Sequence, residues 1–153
     1  LYKAFYKNVF FHFNNSFSKT YIKKKLFENY GERSKEFKIK SSKFELKRFD
    51  DLNIQDKICF VKIDVEGLDH LALYGMQDCI RKHLPVILVE YNFSNFKKIY
   101  SFLRKKYVCY FYNFEKNMLK KLTPSQIQNL KLGKIIENRF KKNSVNIFFI
   151  KKR

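Results

Sequence analysis

The run Ile58-Cys59-Phe60-Val61-Lys62-Ile63-Asp64-Val65-Glu66-Gly67, followed by Pro85-Val86-Ile87-Leu88-Val89-Glu90, decides how this chain folds. Ile58 to Ile63 is apolar almost throughout, broken by Lys62, the pattern of a buried strand. Val86 to Val89 is a second run of the same kind. Between them, Glu66 to Leu84 spaces Leu68, Leu71, Ala72, Met76, Cys79 and Ile80 along one helical stripe, which Pro85 closes. Strand, helix and strand in that order, with residues enough for a crossover, predict a right-handed βαβ unit and a parallel strand pair. The fold class expected is α/β.

Working outward, Ser94 to Lys106 repeats the helical spacing through Phe96, Ile99, Tyr100 and Leu103. Val108 to Tyr112 reads as a strand, Thr123-Pro124 opens a short helix, and Val145 to Ile150 is a last strand. Toward the front, Tyr2 to Phe13 is aromatic and partly alternating, and reads as one strand ending at Asn14-Asn15. Lys19 to Tyr30 sets Ile22, Leu26, Phe27 and Tyr30 on a helical stripe, with Gly31 where a C-terminal cap belongs. Lys35 to Arg48 alternates again, with Phe37, Ile39, Phe44 and Leu46 inward, as one strand or a bent pair. Asp50-Asp51-Leu52 makes a short turn before the central run, and no linker or repeat interrupts the chain.

Composition narrows the function. With 45% apolar and 31% charged residues among 153, the chain can pack a core and is not of the disordered class. Its longest apolar runs are far too short to cross a bilayer. It opens at Leu1, with Lys and aromatics interleaved, unlike a signal peptide, so either the start was processed or this is a piece of a longer protein. Thirty-three Lys and Arg against fourteen Asp and Glu leave +19, enough to attract phosphates, anionic glycans or an acidic membrane surface. The abundance of Lys, Asn, Ile, Phe and Tyr beside scarce Ala and absent Trp points first to AT-rich coding, and the basic runs are short and scattered. No specific nucleic-acid partner is expected, since no helix-turn-helix, zinc finger or RNP-like run is present. Cys59, Cys79 and Cys109 are too few and too far apart for a zinc site or a disulfide framework, so no metal is expected and reduced, buried thiols in a cytoplasmic protein are. The four glycines, Gly31, Gly67, Gly75 and Gly133, never fall within six residues of one another, so neither a GxGxxG loop nor a P-loop can be assembled.

In open α/β sheets the ligand site lies beyond the carboxyl ends of the parallel strands. Asp64 and Glu66 leave the first central strand, Glu90 and Asn92 the second, which brings three carboxylates and an amide to one sheet edge. Acids there also charge and cap a helix start for structural reasons alone, and for Glu66 that role is favoured. For Asp64 and Glu90 together, structure and function weigh about equally. His70, four residues after Glu66, shares its helical face and is expected to be exposed or paired rather than catalytic.

Phe60 to Gly67, then Asp69, Leu73 and Gly75, then Pro85 to Glu90, resemble the FkbM-type methyltransferases. Arg48-Phe49-Asp50-Asp51-Leu52 is similar to the element preceding that run, and Asn146-Ile147-Phe148-Phe149 to the family's closing strand. The resemblance covers Phe44 to the end. Leu71 and Met76 depart from it tolerably, while the family's first strand, glycine-rich cofactor loop and ribose-holding acid have no counterpart. It implies a Rossmann-like sheet of which this chain is the C-terminal portion, with a βαβ unit and a final antiparallel strand. Residues 1–36 would then be a connecting segment and 37–153 the C-terminal part of the methyltransferase domain. It further implies S-adenosylmethionine as cofactor, its main binding loop supplied by a missing N-terminal half, and O-methylation of a sugar or other small glycan-type hydroxyl. Asp64, then Glu66, would be the catalytic carboxylates, with Glu90 and Asn92 holding the acceptor. The chain alone is expected to be inactive and to bind the cofactor weakly or not at all. The competing reading is a non-catalytic basic remnant or accessory module that binds anionic polymers.

Overall fold

A computed structural model describes residues 1–7, 9–16, 18–65, 67–113, 116–132 and 146–152, with backbone alone for 9–15. The chain divides into two compact units, Leu1–Leu46 and Lys47–Arg153.

The first unit is a three-stranded antiparallel sheet in the order β2-β1-β3, made from β1 (Tyr2–Tyr6), β2 (Val9–Ser16) and β3 (Lys38–Ser41). The single front strand expected from the sequence is therefore a hairpin, and its second arm runs on through Asn14-Asn15. Lys7 turns the chain with φ +47, and alternation continues in both arms, which hid the turn. Helix α1 (Lys19–Tyr30) is capped by Ser18 Oγ, which accepts from Tyr21 N at 3.2 Å. Ile22 and Leu26 bury against Ala4, Tyr2, Phe37 and Ile39, whereas Phe27 and Tyr30 of the expected stripe stay exposed. A 3-10 helix (Gly31–Glu36) follows, entered through Gly31 at φ +55. Beyond β3 the chain is irregular, and Phe44 and Leu46, expected inward, are 55% and 72% exposed.

The second unit carries the predicted parallel strand pair and adds a strand, Met118–Lys121, that the sequence reading does not contain. Strands β4 (Phe60–Ile63) and β5 (Val86–Glu90) pair in parallel, from Phe60 opposite Val86 to Ile63 opposite Val89. β6 (Tyr107–Asn113), β7 (Met118–Lys121) and β8 (Asn146–Lys151) complete a mixed five-stranded sheet in the order β4-β5-β8-β6-β7, with β8 antiparallel to both neighbours. This is an α/β sheet of Rossmann-like character. β4 forms its edge and Phe60 is 53% exposed there. Ile63, Ile87, Val89, Ile147, Phe149, Cys109 and Phe111 form one core with Leu73, Met76 and Ile80, and with Phe96, Ile99 and Leu103 of α4 (Phe93–Leu103).

The helix expected over Glu66 to Leu84 is two helices, α2 (Asp69–Tyr74) and α3 (Gln77–His83). The break follows from a short 3-10 turn, Phe49–Leu52, inserted at the junction. Asp50 N donates to Gly75 O at 3.0 Å, and the Asp50 carboxylate accepts from Asp78 N and Cys79 N, both at 3.0 Å. The first amides of α3 are thus satisfied from outside the helix, and α2 need not continue. Leu71, placed on the stripe by its spacing, is exposed. Helix α5 (Pro124–Lys131) starts as the sequence indicates: Thr123 and Gln126 exchange hydrogen bonds in a capping box, with Pro124 in the first turn.

Candidate functional site

The parallel register brings the ends of β4 and β5 level. Asp64 follows Ile63, Glu90 follows Val89, and those two apolar residues are paired partners, so both carboxylates leave the same edge of the sheet from adjacent strands. The Asp64 side chain is 44% exposed, and its Oδ2 accepts from Lys62 Nζ at 3.0 Å. Glu66 lies outside the described residues. Glu90, half-buried, is paired with Asn146 of β8. Asn92 is the N-cap of α4: its Oδ1 accepts from Ser94 N at 3.0 Å and from Ser94 Oγ at 2.7 Å. The adjoining Tyr91 donates its hydroxyl to Leu130 O at 2.8 Å, tying this strand end to α5.

Behind this edge lies a polar cluster in which the sequence reading marks Asp69 only as part of the family motif and gives Asn95 no role. Asp69 and Asn95 are each 3% exposed. Asp69 Oδ1 accepts from Val65 N at 3.3 Å, while Asn95 Nδ2 donates to Gly67 O at 2.5 Å and to Asp69 Oδ2 at 3.4 Å. Asp69 and Asn95 are 26 residues apart, so no local spacing signals the pair. His70 is buried rather than exposed, and it is paired: Lys98 Nζ lies 3.3 Å from Nε2. An ammonium has only protons to give, so Nε2 accepts and the imidazole proton sits on Nδ1. Nδ1 is buried with no hydrogen-bond partner among the described residues. Burial pushes the His70 pKa below its ordinary value, the Lys98 charge pushes it further, and Asp69 and Asn95 oppose this in part.

Among the described residues no group of three His, Cys, Asp or Glu is arranged to hold a metal, and no helix is long and apolar enough to cross a membrane. All three cysteines are free; Cys79 and Cys109 are buried, while Cys59, expected buried too, is exposed. A cavity of about 200 Å³ is lined by Asp50, Ile58, Cys79 and Lys82. These residues precede β4 and β5, so the cavity belongs to the amino-terminal side of the strands, away from Asp64 and Glu90.

The sequence profile of the methyltransferase FkbM domain matches residues 5–110. The chain belongs to the FkbM methyltransferase family. The match begins earlier than the motif resemblance and ends within β6, so it takes in the first unit from residue 5 onward and leaves β7, α5 and β8 beyond it. No curated protein and no solved structure matches the chain. Membership implies methyltransferase chemistry on a small-molecule acceptor, and the run Lys62 to Gly67 that carries the family motif is the one delivering Asp64 to the sheet edge.

Proposed function

We propose that this chain supplies the acceptor-handling part of an S-adenosylmethionine-dependent O-methyltransferase acting on a hydroxyl of a sugar or similar glycan-type molecule in the cytoplasm. The observation that carries the reading is the level register of β4 and β5, which sets Asp64 beside Glu90 at the edge where α/β sheets bind their ligands. When bound, S-adenosylmethionine supplies a methyl group on a sulfonium. The residues present do not make its cradle. Gly67 and Gly75, the nearest pair of glycines, are too far apart for a loop of approaching backbone amides, and Gly67 O is taken by Asn95. Among the described residues no strand pairs with the outer edge of β4, where Phe60 is half in solvent, and this supports a separate cofactor-holding part beside it.

The chain's own share of the chemistry is proton handling and orientation. An acceptor hydroxyl must lose its proton as its oxygen becomes nucleophilic, and Asp64 is the carboxylate placed to take it. It does so by exchanging the Lys62 ammonium for the acceptor, a weak exposed pair that gives way easily. Glu90 and Asn92 orient the sugar by hydrogen bonds, Asn92 through its amide group while Oδ1 caps α4.

Asp64→Asn in the working enzyme tests this. Asn keeps the size of Asp but accepts no proton at neutral pH, so turnover is expected to fall by roughly 10²–10⁴-fold with little change in melting temperature. Glu66→Gln, the second choice for the base, is expected to lose less. Near-normal turnover of the Asp64 variant removes the base assignment. A calorimetric titration of residues 1–153 with S-adenosylmethionine is expected to show weak binding or none; micromolar binding would overturn the split of labour.

A further inference from the structure

Asp69 sits in the first turn of α2, where an acid usually serves its own helix, and here it does not. The α2 N-cap position is Leu68, with no side-chain cap, and the Asp69 carboxylate turns backward to take the amide of Val65. Its other oxygen takes the carboxamide of Asn95, from the first turn of α4, and the same carboxamide holds Gly67 O. Burying a carboxylate is unfavourable unless several donors satisfy it, so an apolar residue would be the cheaper occupant if α2 only needed packing. What the pair secures is the backbone between β4 and α2. Leu68 N closes a turn on Val65 O at 3.3 Å, and Gly67 holds φ +97, which a residue with a Cβ adopts only under strain.

We propose that Asp69 and Asn95 are positioning residues: together they brace the turn after β4 and so aim Asp64, while anchoring it to the helix that begins just after Glu90. The inference rests on the acceptor-handling reading for its functional meaning, but the brace itself is tested separately. Asn95 is the joint, because its one amide nitrogen reaches both the turn and the buried carboxylate.

Amide hydrogen exchange, read by NMR on the full 153-residue chain, tests the brace, and kcat read against KM in the working enzyme tests the aim. Asn95→Leu is expected to lower kcat with KM little moved, and an unmoved kcat would overturn the aiming of Asp64. Asn95→Leu is close in size and lacks the donor; Asp69→Asn keeps an acceptor for Val65 but sets one amide group against another. In both, the amides of Val65 and Leu68 are expected to exchange roughly tenfold faster or more, while those of Ile87 and Val89 in β5 keep their protection. Unchanged exchange at Val65 and Leu68 in Asn95→Leu would overturn the proposal, as would a rise shared equally by β5, which marks general destabilisation. Two variants keep the test decisive if one of them does not fold. Asp64→Asn should leave Val65 exchange as it was. Normal turnover in that variant would remove the base assignment alone, whereas an unmoved Val65 in Asn95→Leu would remove the brace whatever Asp64 does.

Discussion

At the scale of single residues, burial fixes several protonation states in this molecule. Burial pushes the Cys109 thiol up to about 12, against the nearby Lys131, and pushes the Tyr107 hydroxyl, beside Cys79, up to about 12 as well. Both stay protonated and inert. His70 is the case with a measurable consequence. It faces Lys98 and Asn95 from α4, with Asp69 and the edge-on ring of Tyr74, centroids 5.9 Å apart, on its own helix. Its pKa in the folded chain lies below the ordinary 6.5, so on acidification the unfolded chain takes up a proton before the folded one does. Its contribution to stability is therefore complete above about pH 6.5 and is lost as pH falls through the lowered folded value. Urea unfolding at pH 7.5 and 5.5 should show a larger loss for the parent than for His70→Gln, which does not titrate yet keeps an acceptor for Lys98. Equal losses in the two proteins would sink this account.

At the scale of elements, α3 depends on a residue that lies well before it in the chain. The Asp50 side chain is only 7% exposed, and burial alone would raise its pKa. The amides of Asp78 and Cys79 and the Arg48 guanidinium outweigh burial and hold the carboxyl below its usual range. Asp50→Ala should cost ~1–2 kcal/mol in urea unfolding, as the loss of a helix cap does. Asp51→Ala, at an exposed position, should stay within about 0.5 kcal/mol. The Asp50 contribution is present above the ordinary pKa of 3.8 and fades as pH falls through its lowered folded value. A loss no larger for Asp50→Ala than for Asp51→Ala would mean that α3 is capped by its packing alone. This cap also explains what the sequence hid. The stripe from Leu68 to Ile80 continues through Gly75 without a change of period, so nothing local marks two helices; the break is made by a carboxylate 28 residues from the amide it holds. The capping box of α5, by contrast, is legible because Thr123, Pro124 and Gln126 are neighbours.

At the scale of the molecule, four strands of the second unit's sheet are legible because they are short apolar runs with plain boundaries, and the parallel pair follows from a helical period between them. β7 is not legible, since half of it is lysine and three of its four residues are exposed. The ends of β4 and β5, and so the positions of Asp64 and Glu90, came with that reading. The Asp69–Asn95 link did not, since buried polar contacts between distant residues leave no period. The first unit was less legible, because aromatic alternation runs through a turn and Phe44 and Leu46 look inward only on paper.

The edge position of β4 has one more consequence, for the behaviour of many copies in solution. An apolar strand with an unpaired rim invites a second chain to add to it, and repetition of that step leads to fibrous aggregates. Phe60-Val61-Lys62-Ile63 would be such a segment but for its third residue, an exposed cation on the rim strand. Lys62 thus acts as a gatekeeper, since stacking copies in register would set like charges against each other. Lys62→Val gives up only a weak surface pair with Asp64, so the monomer should fold as before. Light scattering should nevertheless show it clouding with time at concentrations where the parent stays clear, and a variant that stayed equally clear would show the rim is shielded by something other than this charge.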